Sequence, residues 1–112
     1  MGTLYIIATP IGSLNDISSR ALTVLNEVEY IAAEDTRQSK KLLNHYGIKT
    51  KLISHHKFNE RKSEQILIKY LKTGDDIALI SDAGTPLVCD PGAGIVRLCH
   101  DSGVKVVPVP GP

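Results

Sequence analysis

Two carboxylates, Asp82 and Asp90, stand in a run of small and rigid residues, Ser81-Asp82-Ala83-Gly84-Thr85-Pro86-Leu87-Val88-Cys89-Asp90-Pro91-Gly92. Gly84 and Gly92 open backbone conformations closed to other residues, while Pro86 and Pro91 fix φ and stiffen the run. An ordinary strand-to-helix connection needs only about two to six residues. A rigid loop of this length points to a ligand. A second cluster, Glu34-Asp35-Thr36-Arg37, joins two candidate general bases to a guanidinium whose planar fork suits a phosphate. A local reading stands beside it, in which Asp35 or Thr36 caps a helix and Arg37 pairs with that cap. His55 and His56 are read as exposed loop side chains that could act as a base or touch a substrate. As a metal pair they are weak, and no metal is expected.

The ligand is constrained by what is missing. The loop after the first strand has a single glycine, so the dinucleotide pattern G-x-G-x-x-G is absent, and no Gly-Lys-Ser/Thr marks a phosphate loop. Thr9-Pro10 and Ser54-His55 stand where a phospho-receiver domain would need acids. A ligand with few phosphates, held by backbone amides, apolar walls and a carboxylate, fits better. S-adenosylmethionine is such a ligand.

The elements that must position these residues follow from periodicity. Strands are expected at Thr3 to Ala8, Tyr30 to Ala33, Lys51 to Ser54, Ile77 to Ile80 and Val104 to Val107. Asp16 reads as the N-cap of a first helix whose apolar face is Ile17, Ala21, Val24, Leu25 and Val28. A second helix carries Leu42, Leu43 and Tyr46 and stops at Gly47. A third carries Ile66, Leu67, Tyr70 and Leu71 and stops at Gly74. A fourth, Ala93 to Ser102, places Ile95, Leu98 and Cys99 inward and stops at Gly103. Strands alternating with helices predict an α/β domain with a parallel sheet, right-handed crossovers and helices on both faces. In such sheets ligands bind along the carboxyl ends of the strands. The loops 9–16, 34–37, 54–59, 81–91 and 108–112 should therefore converge on one rim.

Composition is that of an ordinary globular domain, 42% apolar and 22% charged, with no signal peptide or membrane span visible. Cys89 and Cys99 match no redox or metal spacing, which suits a reducing, cytoplasmic setting. Charge is lopsided. Residues 37–62 hold Arg37, Lys40, Lys41, Lys49, Lys51, Lys57, Arg61 and Lys62 against one acid, Glu60. The rest has five basic residues and eleven acids. That asymmetry predicts a basic face and an anionic partner.

Four collinear motifs then carry a resemblance. They are Thr9-Pro10-Ile11-Gly12-Ser13-Leu14-Asn15-Asp16-Ile17-Ser18, Glu34-Asp35-Thr36-Arg37, Ser81-Asp82-Ala83-Gly84-Thr85-Pro86 with Asp90-Pro91-Gly92, and Pro108-Val109-Pro110-Gly111-Pro112. In order and spacing the chain resembles the ribosomal RNA small-subunit methyltransferase I family, within the tetrapyrrole (corrin/porphyrin) methylase superfamily. Ser13 and Val88-Cys89 depart from residues that members usually carry. The resemblance implies strand order 3-2-4-1-5 and S-adenosylmethionine bound between two α/β domains of a homodimer. The reaction it implies is 2′-O-methylation of a cytidine ribose in the decoding region of 16S ribosomal RNA. On it, Asp82 would accept hydrogen bonds from the donor, and Ala83, Gly84 and Thr85 would offer backbone amides. Pro10, Ile11 and Gly12 would wall its methionine end, while Pro110 and Gly111 would open the adenine-side loop. Glu34, Asp35 and Arg37 are the catalytic candidates; Arg37, Lys40, Lys41, Lys57, Arg61 and Lys62 would face RNA. Residues 1–112 would then be the N-terminal domain, inactive without a second one. Two other readings are a superfamily methyltransferase acting on a tetrapyrrole or a protein, and a non-catalytic RNA-binding or dimerisation module.

Overall fold

The computed structural model describes residues 1–8, 17–56, 59–81 and 92–109 of the 112. Its elements are β1 (Thr3–Ala8), α1 (Ser19–Glu27), β2 (Tyr30–Ala33), α2 (Thr36–His45), β3 (Lys51–Ser54), α3 (Glu60–Lys72), β4 (Ile77–Ser81), α4 (Gly92–Ser102) and β5 (Lys105–Val109). All the strand pairings are parallel, in the order β3-β2-β4-β1-β5. This is the expected fold class and strand order.

Successive side chains of a strand point to opposite faces, and the central strands use both. Ile7, Ile31, Ala33, Ala78 and Ile80 join α1 and α2 in one buried layer. Leu4, Ile6, Ala32, Ile77 and Leu79 join α3 and α4 in the other. A strand buried on both sides reads as a continuous apolar run rather than an alternation, as Ile77-Ala78-Leu79-Ile80 does. Gly47 and Gly103 stop α2 and α4 at φ 67° and 75°, a region that favours glycine. Cys99 is fully buried, and burial pushes its thiol up to about 11, so it is a core residue with little thiolate at neutral pH.

Three local expectations need correction. Helix α1 begins at Ser19, and its N-cap is Ser18, whose hydroxyl accepts the Ala21 N–H at 3.1 Å; the cap is not Asp16. Both residue types cap well, and only the backbone path decides which one stands at the turn. In α3, Ser63, Leu67, Ile68 and Leu71 are buried, while Ile66 is 38% exposed. Ile66 and Ile68 lie about 200° apart around a helix, so the core can take only one. Ile68 is the one that joins Ile95 and Cys99 of α4, a neighbour that periodicity within α3 cannot reveal. Strand β5 starts at Lys105 and runs through Pro108, which pairs with Ile6, to Val109. The strand lies at the sheet's edge, where a missing N–H breaks no central ladder.

Candidate functional site

The carboxyl ends of the strands form a rim in the order Ser54, Ala33, Ser81, Ala8, Val109. Ala8 pairs with Ser81, yet the helices that follow these adjacent strands lie in opposite layers, α1 in one and α4 in the other. The chain leaving β1 and the chain leaving β4 must therefore diverge. Such a divergence between neighbouring parallel strands opens a crevice at the sheet's carboxyl edge. Ala33 also neighbours β4, and α2 lies opposite α4, so the departure from β2 borders the same crevice. Small residues, Ala8, Ala33 and Ser81, end all three strands. The expected donor contacts Pro10, Ile11, Gly12, Asp82, Ala83, Gly84, Thr85, Pro110 and Gly111, and the cation Lys57, lie outside the described residues.

Glu34 and Asp35 follow the end of β2 directly, and Arg37 lies in the first turn of α2. Adjacent strands are about 4.8 Å apart, so this cluster sits one strand from the chain's exit at Ser81. Asp35 is the N-cap of α2: its Oδ1 accepts the N–H groups of Arg37 and Gln38, each at 3.0 Å. The capping role considered for Asp35 is thus present, made to the Arg37 backbone. Glu34 is exposed, and among the described residues it meets no hydrogen-bond partner.

His55 is not an exposed loop residue. Only 1% of its surface is accessible, because its N–H donates to the Ala33 carbonyl at 2.9 Å and its ring is tucked against α3, Nδ1 meeting the Ser63 hydroxyl. An imidazole buried this way cannot touch RNA. His56 is half-buried, and its N–H donates to Asn59 Oδ1 at 2.7 Å, while Asn59 Nδ2 donates to the Ser54 carbonyl at 3.2 Å. Asn59 thereby closes the turn from β3 into α3. Periodicity and motif alone do not single out Asn59, Ser63 or Glu64. The signal available was a polar Ser63 on an otherwise apolar helix face. Burial raises the Glu64 carboxyl above its ordinary range; His55 pulls it back, Glu60 adds to the rise and Arg61 opposes it. Folding therefore favours the protonated form. That contribution is complete below the ordinary carboxylate pKa and is lost as pH rises through the raised value.

Among the described residues the candidate RNA-facing cations fall into two groups. Arg37, Lys40 and Lys41 lie on the rim-side half of α2, and Arg61 and Lys62 on the first turn of α3, all of them exposed. Because α2 and α3 cover opposite layers, the two groups straddle the sheet edge at β3. The basic stretch is continuous in sequence and split in space, since β3 passes between its two helices. Among the described residues no three His, Cys, Asp or Glu side chains could hold a metal ion, and no helix is long and apolar enough to cross a membrane.

A five-stranded parallel domain with its crevice at the β1/β4 divergence is the architecture of a carboxyl-edge ligand-binding domain. The chain belongs to the tetrapyrrole (corrin/porphyrin) methylase family, whose family model, described as Tetrapyrrole (Corrin/Porphyrin) Methylases, matches residues 3–112. It is 56% identical over 110 residues to "Ribosomal RNA small subunit methyltransferase I" of Pasteurella multocida (strain Pm70), covering 98% of this chain and 39% of that protein. It is 53% identical over 111 residues to the protein of that name from Escherichia coli O157:H7, covering 99% of this chain and 39% of the relative. The chain thus spans about two-fifths of the length of these relatives. In fold it is similar to a uroporphyrin-III-C-methyltransferase from Thermus thermophilus, with TM-score 0.77 at 21% identity, covering 98% of this chain and 47% of that one. A diphthine synthase structure gives TM-score 0.78 at 17% identity, covering 98% and 44%.

Proposed function

We propose that this chain is the N-terminal, donor-binding part of an S-adenosylmethionine-dependent ribosomal RNA methyltransferase. Its target is the 2′ oxygen of a cytidine ribose in the decoding region of 16S RNA, and it works as a cytoplasmic homodimer. The observation that carries the reading is the β1/β4 divergence, where adjacent parallel strands are followed by helices in opposite layers, together with relatives named as methyltransferases. The activity is proposed for a protein of the relatives' length.

When bound, the donor supplies a methyl group activated by its sulfonium. Asp82 accepts hydrogen bonds from the donor's polar groups, with Ala83, Gly84 and Thr85 offering amides beside it. Pro10, Ile11 and Gly12 wall the methionine end, and Pro110 and Gly111 border the adenine. Glu34, one strand away and without a hydrogen-bond partner among the described residues, takes the proton of the ribose hydroxyl. Asp35 holds the start of α2 in place, and Arg37 presents its fork to a neighbouring phosphate. Arg37, Lys40, Lys41, Arg61, Lys62 and Lys57 draw the RNA backbone across the β3 end of the rim.

The test is transfer of labelled methyl from S-adenosylmethionine to small-subunit RNA by a full-length protein carrying this chain. Label should appear at one cytidine, and the adjoining linkage should resist alkali, because a methylated 2′ oxygen cannot attack its phosphate. Label on a base, or none, would overturn the reading. For the donor site, Asp82→Ala is expected to weaken S-adenosylhomocysteine binding by roughly 1.5–3 kcal/mol, the range for a charged hydrogen bond. Calorimetric titration of the folded variant checks this, and unchanged affinity would remove Asp82 from the site.

A further inference from the structure

Exposed charge in this domain is sorted by place. Among the described residues, α1 exposes both Arg20 and Glu27, and α4 both Arg97 and Asp101. The two helices that flank the β3 edge differ. Helix α2 exposes Arg37, Gln38, Lys40, Lys41, Asn44 and His45, with no acid among them. Helix α3 exposes Arg61, Lys62, Gln65, Ile66, Lys69 and Lys72, again with no acid. On α3 the cations make a stripe. At about 100° per residue, Arg61, Lys62, Gln65, Lys69 and Lys72 fall within an arc of about 100°, opposite the buried Ser63, Leu67 and Leu71. The stripe runs about 16 Å along the helix at about 1.5 Å per residue. It starts at the rim, where α3 follows β3, and ends at the amino-terminal edge of the sheet, where the Gly2 N–H donates to the Leu71 carbonyl at 2.7 Å.

The helix itself does not account for this charge. Arg61 and Lys62 occupy its first turn, where the helix dipole disfavours cations. Lys69 and Lys72 suit the dipole in the last turn, yet they lie three residues apart as a like-charge pair. Their other neighbours one turn away within α3 are Gln65, Ile66 and Ile68, so no carboxylate there offsets the repulsion. A lysine on an edge strand, such as Lys51, guards against strand pairing; cations on α3 do not serve that end. An anion from outside would offset all four charges. Aromatic side chains are missing from the exposed face of α3, and Tyr70 is already stacked on Tyr30 with ring centroids 4.4 Å apart. The stripe therefore suits phosphates and not bases.

We propose that the RNA contact continues from the rim down α3, along Arg61, Lys62, Lys69 and Lys72, to the amino-terminal edge of the sheet. The ligand there is the sugar–phosphate backbone of RNA flanking the target nucleotide, held without regard to sequence. This surface rests on the RNA methyltransferase reading above. Lys69 and Lys72 grip and orient the substrate and take no part in choosing the cytidine.

The experiment follows binding of a small-subunit RNA fragment to a full-length protein carrying this chain, over a salt series. Lys69→Gln with Lys72→Gln should lower the salt slope by about two, one for each phosphate no longer neutralised. At moderate salt the KM for RNA should rise about ten-fold, with kcat unchanged. Lys69→Arg with Lys72→Arg should keep the original slope. Arg97→Gln with Lys105→Gln, an equal change of charge on α4 and on the opposite edge strand, should leave the slope unaltered. Thermal melts establish that each variant is folded. A steep slope that Lys69→Gln with Lys72→Gln does not lower overturns the inference alone. An equal fall in the Arg97 and Lys105 variant overturns it too, by showing an effect of net charge only. Weaker binding to whole small subunits with unchanged binding to naked RNA would place an acidic protein on the stripe, and also overturns it. A flat slope in the unaltered protein overturns both this surface and the RNA reading. If RNA binds but receives no methyl group, the methyltransferase reading fails, and the slopes still decide whether α3 holds RNA.

Discussion

Turnover of a full-length enzyme carrying this chain is expected to fall by roughly 10²–10⁴ when Glu34 is replaced by glutamine, the range a positioned general base contributes. A ribose hydroxyl is a poor nucleophile, and the group that takes its proton must be free to do so. Asp35 commits Oδ1 to two backbone amides, whereas Glu34 next to it meets no partner among the described residues. Asp35→Asn should cost much less, because asparagine caps a helix as well as aspartate does. Asp35→Ala should lower stability by about 1 kcal/mol through loss of the cap. Single-turnover methylation and thermal melts separate these effects. S-adenosylhomocysteine affinity should be unchanged in Glu34→Gln, since the residue acts on the acceptor. The reverse pattern, a large loss for Asp35→Asn and little for Glu34→Gln, would make Asp35 the base and Glu34 a bystander.

Charge reversal at the rim is expected to have the next largest effect. Lys40→Glu with Lys41→Glu removes cations from one layer, and Arg61→Glu with Lys62→Glu removes them from the other. For every phosphate that is no longer neutralised, the salt slope of RNA binding should fall by about one. Each pair should then lower the slope by about two, and the four together by about four. Additivity is expected because the pairs lie on opposite sides of the β3 edge. Fluorescence anisotropy of a small-subunit RNA fragment over a salt series checks this, with S-adenosylhomocysteine affinity as the control. A loss confined to the α2 pair would show RNA on one face only. A flat salt response in the unaltered protein would leave all four cations as mere solvation.

Much of this domain is written locally in the chain. The apolar runs of β1 to β4, the glycine stops at Gly47 and Gly103, and the burial of Cys99 depend on short-range pattern and composition. Alternation of strand and helix settles the fold class, because parallel strands need crossovers and crossovers cover both faces. The strand order came from resemblance to a family, since periodicity is silent on which strand neighbours which. Only the tertiary structure decided the rest, wherever a residue's role depends on a partner distant in sequence. His55 looks like a loop histidine until α3 folds over it and Ser63 meets its ring. Ile66 and Ile68 are equivalent candidates until α4 packs against one of them. The basic stretch looks like one patch until the sheet passes between α2 and α3 and places its cations in opposite layers. Gly94 and Glu64, thirty residues apart, show nothing in sequence that would pair them, yet the Glu64 carboxylate fills the space beside Gly94. They meet because two crossovers run on the same side of the sheet, a fact of topology that no local pattern encodes.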